Sequence, residues 1–455
     1  MLYYVSVQME CADAPRYHHT GRIETPMTPR RTFFYGYVVL AICFGAIVAG
    51  FVCRNTFSVF YPAIVDEFGW TRGNTALIYS INVLVYGLVA PLAGGLADRF
   101  RPRYVLATGA ILTGAGMALC SLASEMWQFY LLYGVLAAIG LSVAGWVPVA
   151  TLLTNWFVRR RALVFGVLGA GFGLSLVGAF MAQYIILSLG WRTAYLIIGL
   201  SVAVIIPPTC VHFIRRTPAD KGLYPDGMTA AEAEAQAARE VDTRSDPGRK
   251  TQDWTLSRAL RAPQFWLLFL IWVCTMGLVE QTVISQQVYF YLDAGYSPLT
   301  AATFFGTFGV SLAAGNLIGS SSDRIGRDRV ALPGFALCLA FTGLLFLMKD
   351  SSTPWLPPLF AVGFGISFGA LTCVLNATVA DIFHGAHYGS IAGVITLGFA
   401  IGGCISPWLA GYLYDLSGSH TSTYTLVAVA LVASIIMFQL VAPRKLKRIR
   451  HHTPV

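Results

Sequence analysis

Charge is scarce in this sequence. Asp, Glu, Lys and Arg make up 12% of its 455 residues, against 56% hydrophobic side chains. Soluble domains carry about 25% charged residues. A water-soluble fold of this size could not bury so much apolar surface behind so little charge, so the soluble globular class is excluded.

Other absences narrow the chemistry. The nine cysteines form no CxxC, and all but Cys11 lie in or beside apolar runs, which argues against metal, redox or disulfide roles. No HExxH occurs, and the histidines fall in tails, in loops or at a span end, so no metal site is expected. No GxxxxGK[ST] occurs, which removes support for a P-loop pump, and no cofactor is expected. One GxSxG does occur, Gly365-Ile-Ser367-Phe-Gly369. It sits inside an apolar run without the strand–turn–helix setting of a nucleophile elbow, and reads as small-residue helix packing rather than an enzyme's site. The first 30 residues contain no apolar h-region, so they read as a polar tail rather than a signal peptide, with Met27 as an alternative start.

What the chain has in abundance is apolar runs of roughly 20 residues, the length that crosses a bilayer core as helix. Twelve are expected, near 35–62, 74–97, 104–123, 127–153, 162–188, 193–213, 265–291, 300–320, 330–348, 355–380, 389–413 and 422–442. They are numbered spans 1 to 12. The fold class is therefore an all-α membrane protein. Pro62, Pro148 and Pro407 inside these runs mark kinks or close packing, not helix ends.

The formal net charge of +9 does not point to nucleic acid. Twenty-seven of the 31 Lys and Arg fall in the two tails and the loops between spans 2–3, 4–5, 6–7 and 8–9. The other face holds only Arg72, Arg192 and Lys349, and Arg54 lies inside span 1. This bias places both tails in the cytoplasm of a plasma or bacterial inner membrane. The expected organisation is a tail (1–34), six spans (35–214), a cytoplasmic linker (215–264), six spans (265–442) and a second tail (443–455). Within the linker, Ala230 to Glu240 should form a surface helix.

The two sets of six spans repeat at an offset of about 226. Gly94-x-x-x-Asp98-Arg99 matches Gly319-x-x-x-Asp323-Arg324. Gly69 matches Gly295, and Asn155-Trp156-Phe157 matches Asp381-Ile382-Phe383. Gly166 and Gly171-Phe172 match Gly393 and Gly398-Phe399. Two parallel six-span repeats are the plan of carriers that rock about a central site. The glycines of spans 5 and 11 read as packing contacts.

These residues carry a family resemblance. Gly94-Gly-Leu-Ala-Asp98-Arg99 is similar to the loop 2–3 signature of the major facilitator superfamily. The second copy, Gly319 to Arg327, fits the same G-x-x-x-D-R-x-G-R core. The first copy departs at its end, with Arg101-Pro102 in place of Gly-Arg. Physically, the aspartate faces a helix N-terminus and cytoplasmic arginines as a charge lock, and the glycine lets helices touch. The lock is assigned to Gly94, Asp98, Arg99, Gly319, Asp323, Arg324 and Arg327.

Four further stretches resemble the monocarboxylate porter branch and its oxalate–formate-antiporter-like members. They are Ser58-Val-Phe-Tyr61…Glu67-Phe-Gly-Trp70-Thr-Arg72, Asn155-Trp-Phe…Arg159-Arg-Arg161, Gly190-Trp191-Arg192-Thr-Ala-Tyr195, and Thr217-Pro218…Gly222-Leu-Tyr-Pro225-Asp-Gly227. The resemblance implies a lysine one residue from Arg54 in span 1, which favours an anionic substrate. It also implies a binding arginine and a coupling aspartate in span 8, but those fall near Ser311 and Gly315. Span 11 lacks the lysine of oxalate exchangers. Neither lactate–proton symport nor oxalate exchange carries over directly.

Two charges lie at bilayer depth, where they are costly and mark function. Arg54 in span 1 and Glu280 in span 7 are separated by the repeat offset. Three roles are open for them besides snorkelling to the interface. Arg54 could bind a carboxylate through its planar fork. Glu280 could carry a coupling proton or receive a cation. Or the two could pair as an outer gate, with Arg54 in the outer half of span 1. Tyr61, Tyr79, Asn82, Tyr86, Trp146, Gln281, Gln286, Asn316 and Asn376 are candidate substrate contacts, each with helix–helix hydrogen bonding as the competing role.

The expected function is alternating-access transport of a small organic anion, a monocarboxylate, with protons and lipid bilayer as partners and no nucleic acid. A carrier exporting amphipathic or cationic compounds is the alternative. A non-transporting membrane sensor or scaffold is the alternative of another class.

Overall fold

The computed structural model describes residues 34–158, 160–230, 232, 254–348, 350–383 and 388–441, apart from the side chains at 98, 161–163, 323 and 388–390. Most of the surface helix expected from Ala230 and both charged tails fall outside these residues. Every described residue from Tyr35 onward belongs to one contact unit, Tyr35–Val455. Its described secondary structure is entirely helical.

Twelve helices are long and apolar enough to cross a membrane. Spans 1 to 6 are Gly36–Phe68, Arg72–Ala97, Pro102–Leu122, Met126–Trp156, Val164–Leu189 and Trp191–Phe213. Spans 7 to 12 are Pro263–Asp293, Pro298–Gly319, Arg327–Leu345, Leu356–Ile382, Ile391–Ser417 and Thr421–Val441. Spans 1 and 7 run several residues further than hydropathy suggests, because Glu67 and Asp293 end them as helix rather than loop. The face bearing Tyr35 and Val441 is called the tail face below, and the opposite one the far face.

The punctuation follows backbone chemistry. Span 1 ends at Gly69 with φ +65°, a left-handed cap that glycine adopts without strain. Thr71 then caps span 2, its hydroxyl accepting from Asn74 N–H at 3.4 Å, and Ser297 caps span 8 in the same manner with Pro298 at the first turn.

Small residues set the helix contacts, since van der Waals packing rather than hydrophobic exclusion joins helices in lipid. Spans 8 and 10 are the tightest case. A Cβ at Gly315 would meet the Ile366 carbonyl oxygen at 2.2 Å, and one at Gly369 the Leu312 carbonyl oxygen at 2.2 Å. The first six spans meet the last six along two seams. Span 2 packs on span 11, where a Cβ at Gly411 would strike the Arg72 carbonyl oxygen at 2.8 Å. Span 5 packs on span 8, where Gly173 and Gly309 face each other's main chain.

Not every repeat-related glycine is a packing residue. Gly171 meets the Phe44 ring and Gly398 meets the Phe269 carbonyl oxygen, but nothing lies within 4 Å of a Cβ built at Gly166 or Gly393. That corrects the expectation that all of them mark contacts: Gly166 and Gly393 border open space at matching points of spans 5 and 11.

Candidate functional site

Arg54 stands just past the midpoint of span 1, in its outer half as expected, at a change of course. The helix Gly36–Asn55 stops and a second helix, Phe57–Phe68, begins after Thr56. Neighbouring spans fix this junction. Tyr133 on span 4 donates its hydroxyl to the Arg54 carbonyl oxygen at 2.7 Å. Asn55 donates its side-chain amide to Ser175 Oγ on span 5 at 2.8 Å. Tyr133 lies in a π-helical segment, Tyr130–Ala137. A second such segment, Val273–Val279, ends immediately before Glu280 on span 7. Wide turns of this kind are rare and cluster at functional sites.

The Arg54 side chain is 2% exposed. Its Nη2 donates to Gln281 Oε1 at 2.9 Å. The guanidinium carbon lies 5.8, 5.6, 5.2 and 5.4 Å from the ring centres of Phe51, Tyr79, Tyr86 and Phe399. Ring quadrupoles compensate part of the cost of a desolvated cation. They do not use its N–H groups, and Nε and Nη1 are buried without a hydrogen-bond partner among the described residues. Unpartnered donors on a buried guanidinium are energetically expensive, and an anion of matching size would relieve them.

Gln281 is the hub of this cluster. Its Oε1 also accepts from the Tyr79 hydroxyl at 2.9 Å, and its Nε2 donates to Glu280 Oε2 at 3.4 Å. Glu280 is itself buried. Arg54 and Glu280 therefore communicate through an amide, and the expected direct pairing as a gate is not the geometry found. Gln281 rather than Glu280 lies opposite Arg54, immediately beyond the wide turn on span 7.

Closure at the far face uses other residues. Arg72 at the start of span 2 pairs with both carboxylate oxygens of Asp293 at the end of span 7, at 2.5 and 2.9 Å. His420, ahead of span 12, lies 2.6 Å from the same Asp293 through Nε2. The Arg72 guanidinium is stacked between Tyr289 and Tyr414, 4.0 and 3.8 Å from the ring centres. Asp415 on span 11 accepts from the backbone N–H groups of Arg72 at 3.0 Å and Gly73 at 2.6 Å. The Tyr61 hydroxyl donates to the Arg72 carbonyl oxygen at 2.6 Å. This clasp joins spans 1 and 2 to spans 7, 11 and 12. Of its members only Tyr61 was a sequence candidate. Arg72 and Asp293 were hidden because each sits at a helix end and resembles an ordinary loop charge.

The remaining candidates divide clearly. Tyr79, Tyr86 and Gln281 join Arg54. Asn82 donates to the Tyr133 carbonyl oxygen and Gln286 to the Pro407 carbonyl oxygen, so both tie helices together. Asn316 and Asn376 donate to carbonyl oxygens of their own helices, Leu312 and Thr372. Trp146 packs 6.3 Å from Phe165. Among the described residues no cluster of metal-ligating side chains occurs.

At the tail face, Gly94 and Gly319 sit against span 4 and span 10 respectively. Arg327 donates through Nε to Asp381 Oδ2 at 3.0 Å and through Nη1 to Ser322 Oγ at 2.6 Å. Arg99 and Arg324 are exposed, and the carboxylates of Asp98 and Asp323 lie outside the described residues. The Arg327–Asp381 pair has no copy in the first six spans. There the matching positions are Pro102 and Asn155, so both partners are missing together.

Gly315 bears on one departure noted in the sequence: a side chain there would collide with the Ile366 carbonyl oxygen, so helix packing leaves no room for a charged residue at that position.

A family model described as Major Facilitator Superfamily matches residues 40–407 and 317–454. Among curated relatives, monocarboxylate transporter 12 of Rattus norvegicus is 26% identical over 417 residues, covering 89% of this chain and 84% of the relative. Monocarboxylate transporter 2 of Homo sapiens is 25% identical over 422 residues, covering 90% and 86%. Among solved structures, a bacterial homologue of the human lysosomal transporter Spinster, in an inward-facing and occupied conformation, superposes with a TM-score of 0.66 at 16% identity, over 90% of this chain and 96% of that one. At that identity the likeness concerns the fold alone.

Proposed function

This chain belongs to the major facilitator superfamily and is a membrane transporter rather than an enzyme, and we propose that its cargo is a small organic anion held at Arg54. One observation carries the reading: a guanidinium at bilayer depth, 2% exposed, with two nitrogens that have no hydrogen-bond partner among the described residues. A buried donor set of fixed geometry suits a carboxylate. A single arginine suits a monoanion, in keeping with the names of the curated relatives.

The two six-span sets rock about this site, and the clasp around Arg72 and Asp293 closes the far side while cargo enters from the tail side. Both tails are cytoplasmic on the charge bias of the loops, so the arrangement is the inward-open one. Glu280, joined to Arg54 through Gln281, carries the coupling proton. Among the described residues it is the one carboxyl group of this buried cluster, and its protonation changes the charge that Arg54 feels.

Uptake of radiolabelled monocarboxylates into proteoliposomes tests this. Arg54→Ala should lower the rate at least about tenfold, and Arg54→Lys should restore it only in part, because the ammonium lacks the fork. Undiminished uptake by Arg54→Ala would reject the anion site. Glu280→Gln should still exchange cargo but fail to concentrate it under an imposed pH gradient.

A further inference from the structure

The rings around Arg54 are not distributed evenly. Span 1 runs away from the tail face, so Phe51 lies about 4.5 Å nearer that face than Arg54. Span 2 runs the other way, so Tyr86 lies about 10 Å nearer the tail face than Tyr79. Phe399 of span 11 meets Tyr86 edge-on at 6.5 Å between ring centres. Phe51 meets Phe172 of span 5 at 5.0 Å and Tyr86 at 6.3 Å. Four rings from four spans thus make a collar on the tail side of the guanidinium.

Accessibility follows the same gradient. Tyr79 and Gln281 are fully buried, whereas three of the four collar rings, Tyr86, Phe172 and Phe399, are half-buried, and Phe51 is buried. Nearer the tail face, Gly166, Gly169 and Gly393 border open space. On the other side of Arg54 the clasp shuts the path. The collar carries no side-chain amide, carboxylate or ammonium, and its only polar atom is the Tyr86 hydroxyl.

We propose that the cargo is an aromatic monocarboxylate, with its carboxylate on Arg54 and its flat arene within the collar of Phe51, Tyr86, Phe172 and Phe399. This rests on the anion site proposed above. A short hydroxy acid would leave ring faces uncovered and would find no amide or carboxylate in the collar for its hydroxyl. A planar arene meets ring edges and faces, the arrangement aromatic pairs prefer. Phe399 and Tyr86 are then the specificity-determining residues, one from each set of six spans, so the arene is gripped by both.

Isothermal titration of the purified full chain in detergent decides the matter, with benzoate, cyclohexanecarboxylate, acetate, lactate and uncharged benzamide as probes. Benzoate should bind at least about tenfold more tightly than acetate or lactate, with cyclohexanecarboxylate between them, because the ring adds apolar area and directed edge–face contact. Phe399→Leu and Tyr86→Leu should each weaken benzoate more than acetate and so narrow the gap between them. Acetate or lactate binding as tightly as benzoate, in a manner abolished by Arg54→Ala, would overturn the aromatic assignment and leave the anion site standing. Benzamide binding as well as benzoate, benzoate indifferent to Arg54→Ala, or no saturable binding by any of the acids would overturn the anion site itself. The wild-type comparison suffices if a collar variant does not fold.

Discussion

Asp293 and Glu67 end spans 7 and 1 at positions related by the repeat offset, yet only Asp293 reaches into the opposite set of spans. Glu67 stays within the first six, bonded to the Trp191 indole N–H and to Arg192 Nη2 at 2.7 Å. Asp293 keeps the equivalent local partner in His420, ahead of span 12, and adds Arg72 from span 2. A local brace in one set of spans has become an inter-set clasp in the other.

Asp293→Asn should therefore loosen the far face and Glu67→Gln should not. A charge-assisted bond of this half-buried kind contributes about 1–3 kcal/mol, which corresponds to a several-fold or greater rise in the opened population. The measurement is labelling of a Tyr61→Cys probe by an impermeant maleimide in a background with the native cysteines replaced. Equal labelling in the two variants would show that the clasp does not govern opening.

His420 gives the clasp a pH dependence of defined sign. Burial holds its imidazole below the ordinary histidine range, against the opposing pull of Asp293 and with a smaller push from Arg72. Rings of Phe290, Tyr414 and Tyr424 complete its surroundings. The folded form therefore binds fewer protons than the unfolded chain once pH drops below about 6.5, and stability falls with pH through that window. Thermal unfolding between pH 7.5 and 5 should show a steeper loss for the parent than for His420→Gln. Parallel profiles would place the titration elsewhere.

Gln281 separates structure from cargo binding. Gln281→Leu leaves Arg54 Nη2, the Tyr79 hydroxyl and Glu280 without their shared partner, and should cost about 1–3 kcal/mol of stability. Gln281→Glu instead offers Arg54 a resident carboxylate. That variant should keep or gain thermal stability while losing monocarboxylate binding, because the site is then filled by the protein's own anion. Retained binding in Gln281→Glu would exclude Arg54 as the cargo contact.

The Arg327–Asp381 pair should matter less than its place in a recognised motif suggests. The Asp381 side chain is 51% exposed, and exposed pairs contribute about 0–1 kcal/mol. A double-mutant cycle with Arg327→Ala and Asp381→Ala, followed by thermal unfolding, should return a coupling in that range. A coupling of several kcal/mol would mean the corner is more deeply shielded than its exposure indicates.

Much of this was legible in the chain. Hydropathy located all twelve spans, charge at bilayer depth singled out Arg54 and Glu280, and the offset related them to each other and matched the motif glycines. Two pairs of resembling stretches also turn out to be contact partners. The Glu67 stretch meets Trp191 and Arg192, and the Asn155 stretch meets the Pro225 stretch where Asp226 accepts from the Val158 backbone N–H at 2.8 Å. What stayed hidden was direction. The offset pairs Arg54 with Glu280, but sequence spacing cannot reveal which side chain of span 7 faces Arg54, and it is Gln281. Phe51 and Phe399 escaped for a different reason: in an apolar span an aromatic ring has no distinguishing background, and only their convergence on a cation sets them apart. Arg72 and Asp293 lacked the sign that flagged Arg54, since a charge at a helix end needs no explanation until its partner is seen.

Asp415 takes the backbone N–H groups of Arg72 and Gly73, not their side chains. Every amino acid except proline supplies that donor. Mutational drift at the head of span 2 thus leaves this part of the seal untouched, while the acceptor depends on one codon. Descendants of this chain that lose the Arg72 side chain keep this second bond of the seal, whereas Gly73 is held small by Asp415 and Tyr412, 3.1 Å from where its Cβ would stand.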